Sequence, residues 1–288
     1  MRFSVVIPAF NESAYIGNAL HSLSKQDFEG NFEIIVVDNN STDDTALIAR
    51  RMGAIVVEEP NPGVCQARQR GTSVARGEIV VSTDADTTFS PFWLTKIDRT
   101  FQMNSTCVAV AGPCRFMQAP LWGTFYSRLL FLIVRIVYAL TRKVIYVTAT
   151  NTAFRRDLFE GYDLRLTQGG DELDLLHRMQ RKGRVVYIND NHTLTSSRRL
   201  NQGFMYNFFI SFVYYYLLAY LLNRVMGRSI LGTAPKFRGE YRNRSGRFSL
   251  VWISVGIGIA SLFVVSLITG PSLLTVAESA LHVIQREL

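Results

Sequence analysis

A chain of 288 residues, 48% hydrophobic and 19% charged, is long enough to bury a sizeable core as one large domain or two smaller ones. Its formal net charge of +8 implies an anionic partner: a phosphorylated substrate, a membrane surface or nucleic acid. The cysteines Cys65, Cys107 and Cys114 are too scattered for a disulfide framework or a zinc site, and read as buried thiols in a reducing compartment.

The opening "MRFSVVIPAFNES" does not read as a secretory signal, because Pro8, Asn11 and Glu12 break its apolar run, so a cytoplasmic placement is expected. Residues 3–8 form a short apolar strand. Ser13 then opens a helix whose apolar residues Tyr15, Ile16, Ala19, Leu20 and Leu23 recur with helical period. A second strand is expected over 33–38, a second helix over 42–52 capped by Ser41, and a third strand over 54–59. A helix over roughly 64–75 and a strand over 78–82 follow. Apolar strands alternating with helices imply parallel βαβ units with helices on both faces. In such sheets ligands bind beyond the carboxyl ends of the strands, where the polar clusters "PAFNES", "DNNSTDD" and "STDADT" fall. The fourth strand runs into Asp84 and Asp86, which an extended backbone would place on one face. Two like charges so close repel, and a divalent cation would relieve them. A plain turn, with Asp84 bonding its own backbone, is the competing reading.

"VVIPAFNES", "IIVVDNNSTDDT", "GVCQARQRG", "GEIVVSTDADT", "TNTAFRRDLFE" and "GGDELDLLHRMQRKG" stand in this order across about residues 3–200. Together they resemble the inverting glycosyltransferases of family 2, with a nucleotide-sugar-binding fold of the GT-A type. The resemblance implies a GT-A domain over 1–200 and makes Asp84 and Asp86 a metal-binding pair for Mg²⁺ or Mn²⁺. It sets Pro8, Ala9 and Glu12 against the nucleoside and Asp38 against the base or ribose. Arg68 would meet the diphosphate, with Asp84 and Ala85 beside the donor. Arg198 and Arg199, in "TSSRRLNQG", would hold the donor diphosphate or an anionic acceptor, though surface charge explains them as well. The catalytic base comes from "GGDELD". Family members read Glu-Asp there, whereas this chain reads Asp171-Glu172; Glu172 takes the base's place position by position, and Asp171 does so if the register slips by one. Capping and dipole stabilisation of the next helix would also explain both acids.

The stretch 121–143 is apolar but carries Arg128, Arg135 and Arg142 every seven residues. The first two arginines argue against a membrane span, and the segment reads either as a helix lying in the headgroup plane or as an amphipathic core helix. Residues 248–270 are uncharged and long enough to cross a bilayer, and 203–223 nearly so. Between them, 224–247 carries seven Arg or Lys against Glu240 alone, which places it on the cytoplasmic side. The expected organisation is therefore an interfacial helix and basic linker over 201–247, a span over 248–270 and an amphipathic tail over 271–288. The expected enzyme is a membrane-anchored transferase with its catalytic domain on the cytoplasmic face. It would move a sugar from a UDP- or GDP-linked donor to a lipid-linked or glycan acceptor. A polyprenyl-phosphate sugar synthase ranks second, because the Arg-x-x-Gly-Ser-Lys ending of those enzymes is missing. A non-catalytic nucleotide-binding scaffold would not need Asp84, Asp86, Asp171, Glu172 and Asp174. Nucleic acid is not expected as a partner, since the basic residues flank apolar segments rather than a stacking platform.

Overall fold

The computed structural model describes residues 1–164 and 171–203, with Tyr206, Asn207 and Phe209. The expected linker 224–247, span 248–270 and tail 271–288, and nearly all of 203–223, lie outside the described residues. The first four strands are β1 (Phe3–Ala9), β2 (Phe32–Asp38), β3 (Ile55–Glu58) and β4 (Ile79–Ser82). They are joined by α1 (Ile16–Ser24), α2 (Thr45–Arg51) and α3 (Val64–Val74). After the short β5 (Thr87–Thr88) come α4 (Trp93–Met103), β6 (Cys107–Ala111), β7 (Cys114–Met117) and α5 (Leu121–Thr141). The chain continues through β8 (Thr152–Arg155), α6 (Asp171–Gln180), β9 (Arg184–Tyr187) and β10 (Thr193–Ser196). A seven-stranded sheet runs β3-β2-β1-β4-β8-β6-β9, and β5-β10-β7 form a small second sheet.

The α/β expectation holds: β1 pairs in parallel with β2 and β4, and β2 with β3, while β8 lies antiparallel between β4 and β6. Apolar side chains fill both faces of the sheet, as continuous hydrophobic strands require. One layer packs Ile16, Leu20 and Leu23 of α1 with Trp93, Leu94 and Ile97 of α4. The other packs Ala67 of α3, Val134 and Tyr138 of α5, and Leu175, Leu176 and Met179 of α6. At Gly71 of α3 a Cβ would come within 2.4 Å of Val6 and 2.8 Å of Val37, so only glycine lets this helix lie so close to the sheet.

Two helices start later than the sequence suggests. The hydroxyl of Ser41, expected to cap α2, instead accepts from the backbone N–H of Asn11 at 3.0 Å, and α2 begins at Thr45. The Asp43 carboxylate accepts from the backbone N–H groups of Ser13 (3.1 Å) and Thr45 (3.0 Å). Ser13 is therefore tied to the neighbouring loop, and α1 begins only at Ile16. These side chains join the β1–α1 and β2–α2 loops, an alternative partner for short polar residues that propensity does not reveal.

Candidate active site

The carboxyl ends of β1, β2 and β4 converge on one edge of the sheet. Pro8 and Ala9 end β1, and the Ala9 carbonyl accepts from Asn39 N–H at 2.8 Å, holding the β2 end against it. Asp38 ends β2, where its Oδ1 accepts from Ser41 N–H at 3.2 Å. Beyond β4 the backbone does not stay extended. Residues 84–87 turn, closed by Thr87 N–H to the Asp84 carbonyl at 3.3 Å, so the two aspartates sit on a turn rather than on one face of a strand. Pairing of β5 with β10 fixes that turn, and Ser196 N–H donates to the Asp86 carbonyl at 3.1 Å.

Each aspartate meets its own arginine. Arg68, from α3, donates through Nη2 to Asp84 Oδ1 at 2.8 Å. Its Nε lies 2.7 Å from Glu172 Oε1, with both side chains almost wholly buried (3% and 4% exposed). Arg198, just after β10, chelates Glu12: Nη1 to Oε2 at 2.8 Å and Nη2 to Oε1 at 2.5 Å. The same Nη2 lies 3.1 Å from Asp86 Oδ2, and the guanidinium stacks 4.9 Å from the Tyr15 ring centroid. Thr195 Oγ1 donates to Asp86 Oδ1 at 3.2 Å. Burial pushes the Asp86 carboxyl above its usual range and the neighbouring Asp84 adds to the shift, while Arg198, Arg199 and Thr195 oppose it. Burial likewise raises Glu12 against the pull of Arg198. Burial works to lower the Arg198 pKa, but Glu12 and Asp86 outweigh it and hold the guanidinium firmly charged.

The structure thus brings Pro8, Ala9, Glu12, Asp38, Arg68, Asp84, Ala85, Asp86, Glu172 and Arg198 to one edge of the sheet, with Arg199 exposed beside Arg198. Arg68, expected to face a diphosphate, is sealed between two carboxylates, and Glu172, expected as the base, is buried against it. Asp171 is the first residue of α6. Tyr15 and Thr195 were missed by sequence reasoning, because an aromatic in an apolar stripe and a threonine in a strand carry no signal of a ligand edge. So was Asn151, which accepts from Trp93 Nε1 (2.9 Å) and donates to the carbonyls of Pro113 (3.0 Å) and Asn191 (2.6 Å), pinning β8 behind the site.

The acidic turn offers only oxygen donors. Among the described residues no cluster of three or more His, Cys, Asp or Glu could form an all-protein cage. Two carboxylates on one turn are a donor set that Mg²⁺ or Mn²⁺ could use, since these hard cations take carboxylate oxygens together with phosphate oxygens and water.

An open sheet with an acidic turn beyond its strand ends defines an α/β protein of the GT-A type. The chain belongs to glycosyl transferase family 2, whose model matches residues 4–163, more than half of its length. It is 42% identical over 83 residues to an uncharacterized glycosyltransferase of Mycobacterium tuberculosis, covering 29% of this chain and 36% of that protein. It is 37% identical over 93 residues to the poly(ribitol-phosphate) beta-N-acetylglucosaminyltransferase TarS of Staphylococcus aureus, covering 30% of this chain and 16% of TarS. The match therefore spans about a third or less of these relatives. The structure resembles TarS 1–349 in complex with UDP at a TM-score of 0.57 and 22% identity, covering 80% of this chain and 73% of that one. It resembles glucosyl-3-phosphoglycerate synthase of M. tuberculosis, solved with Mn²⁺, UDP-glucose and phosphoglyceric acid, at 0.50 and 24%, covering 70% and 74%.

Proposed function

We propose that this chain is an inverting glycosyltransferase that passes a sugar from a nucleotide-sugar donor, UDP-linked in the first instance, to a lipid-linked or glycan acceptor. The observation that carries the reading is the Asp84–Asp86 turn at the shared carboxyl edge of β1, β2 and β4, with a cation beside each carboxylate. UDP in the TarS structure, and UDP-glucose with Mn²⁺ in the synthase structure, support the choice of donor. Pro8, Ala9, Glu12 and Asp38 would bind the nucleoside, with Asp84, Ala85, Arg198 and Arg199 beside the diphosphate. Asp86 and Asp84 would hold Mg²⁺ or Mn²⁺. When bound, that ion would supply Lewis-acid chemistry, offsetting negative charge on the diphosphate.

The acid at the start of α6 would take the proton of the acceptor hydroxyl as its oxygen attacks the anomeric carbon opposite the leaving group. Glu172 is almost wholly buried with its Oε1 2.7 Å from Arg68 Nε, a position suited to holding the guanidinium rather than to meeting an acceptor hydroxyl. We therefore assign the base to Asp171 and the anchoring of Arg68 to Glu172. Arg68, in turn, orients Asp84 rather than touching the donor. Residues 248–270 would anchor the enzyme, with the domain on the cytoplasmic face where nucleotide-sugars are made.

The test is release of nucleoside diphosphate from a panel of UDP- and GDP-sugars by the detergent-purified full chain with Mn²⁺ or Mg²⁺. Turnover of a UDP-sugar that stops on chelation is expected. No turnover of any donor would contradict the transferase reading, and an undiminished rate with chelator would contradict the metal assignment.

A further inference from the structure

Helix α5 presents an unusual surface. Gly123, Ser127, Val134 and Tyr138 form one buried stripe along most of its 21 residues, and the Tyr138 hydroxyl donates to the Val185 carbonyl at 3.2 Å. On the opposite side Leu121, Phe125, Leu129, Ile133, Ile136 and Leu140 are exposed, from 45% for Leu129 to 91% for Leu121. A run of large apolar side chains on one exposed helix face marks a contact surface rather than ordinary surface scatter. Arg128 and Arg135, seven residues apart and both exposed, line one edge of that face. The sequence holds no Asp or Glu between Asp98 and Asp157, so no acid within that stretch offsets them.

Among the described residues α5 is the one helix long and apolar enough to cross a membrane, despite the arginines that argued against a span. Its packing decides otherwise. A helix buried along one side against α6 and the sheet lies on the domain, and only its outer face is left for lipid.

We propose that α5 docks the domain onto an anionic lipid bilayer, its outer face entering the acyl boundary and Arg128 and Arg135 meeting lipid phosphates. Charge selects this occupant, since a cationic edge beside an apolar face suits an anionic interface better than a second copy of the same cationic helix. The docking also sets where the site opens. A Cβ at Gly123 would come within 2.6 Å of Leu200, so the first turn of α5 is packed on the segment two residues beyond Arg198. The site rim therefore lies beside the docked face, where an acceptor carried by a lipid would arrive. That consequence rests on the transfer reading above, whereas the docking itself does not.

The three native cysteines are buried, which allows single labelling of introduced ones. The full chain, with Ile133→Cys carrying an environment-sensitive fluorophore, is reconstituted into phosphatidylcholine vesicles with or without phosphatidylglycerol, with doxyl quenchers at shallow or deep acyl positions. A matched label at Leu47→Cys, an exposed apolar position on α2, is the control. Shallow-doxyl quenching at 133 but not at 47, stronger with phosphatidylglycerol and weakened by salt, is expected. Arg128→Gln with Arg135→Gln should lower the docked-to-free ratio about 30-fold, at about 1 kcal/mol per arginine near the surface. Absence of quenching, or protection from both lipid and aqueous quenchers, would overturn the proposal in favour of a protein cover; strongest quenching by the deep probe would overturn it in favour of a span. Vesicle binding with no sugar transfer would leave the docking standing and count against the transfer reading alone.

Discussion

Arg68 and Arg198 each hold one aspartate of the acidic turn, and their surroundings differ sharply. Arg68, on α3, is buried at 3% exposure between Asp84, from the turn after β4, and Glu172 of α6. Arg198 is 30% exposed, rests on Tyr15, and pairs with Glu12 and Asp86 at the rim. A buried ion with two partners is costly to disturb, because removing the cation strands both charges. Water reaches the Arg198 guanidinium, although its partners Glu12 and Asp86 are only 13% and 12% exposed. The same residue type is thus sealed in as a brace on one side of the turn and is a water-accessible counter-ion on the other.

The largest expected effect separates the two aspartates from the braces around them. Asp86→Ala should abolish metal-dependent donor turnover without lowering Tm, checked by nucleoside diphosphate release and thermal melting. Burial and Asp84 hold the Asp86 pKa above its unfolded value, so the folded state binds the extra proton within that window. Stability then falls as pH rises from the ordinary carboxylate range through the raised pKa, and the penalty persists above it. Asp86→Asn should therefore melt no lower than the parent at neutral pH, and its melting temperature should vary less with pH across that window.

Next come the two acids of α6. Asp171→Asn should cut transfer by about 10²–10⁴ while leaving UDP affinity intact. Glu172→Gln should show its larger effect in stability, by loosening Arg68. If Glu172→Gln gave the pure rate loss and Asp171→Asn did not, the base assignment would reverse.

The arginines themselves follow. Arg68→Met should destabilise by about 3–5 kcal/mol, read from denaturant melts, because Asp84 and Glu172 lose a shared buried cation. Arg198→Met should cost less stability than Arg68→Met, because its guanidinium is 30% exposed where that of Arg68 is 3%, yet weaken donor binding. Equal stability losses in the two variants would erase the distinction between brace and counter-ion.

Much of the first half of the molecule can be read from its residues. The strands β1 to β4 fall within a residue or two of their apolar runs; in β1, β2 and β4 burial on both sheet faces leaves a continuous hydrophobic signal, and the edge strand β3, though largely exposed, keeps its apolar Ile55–Val57 run. The start of α2 was less legible, since Ser41 has the chemistry of a cap but spends its hydroxyl on Asn11, thirty residues away. The antiparallel insertion of β8 between β4 and β6 leaves no local trace, being a matter of pairing between residues 79–82 and 152–155. The same limit applies at the site. Asp84 and Asp86 stand out because like charges at a strand end need a reason, but the Arg198–Glu12 chelate joins residues 186 apart and the Arg68–Glu172 contact joins α3 to α6. Local patterns identified the acids; only the fold shows which arginine each one meets.

The acidic turn is the proposed seat of the nucleotide diphosphate. Titration calorimetry of UDP into the detergent-purified full chain, with Mn²⁺ and with chelator, for the parent and Asp86→Ala, tests this directly. Saturable UDP binding that requires Mn²⁺ and is lost in a fully folded Asp86→Ala is the predicted result. Binding of equal strength in the variant, or no binding of UDP by the folded parent with Mn²⁺ present, would contradict it.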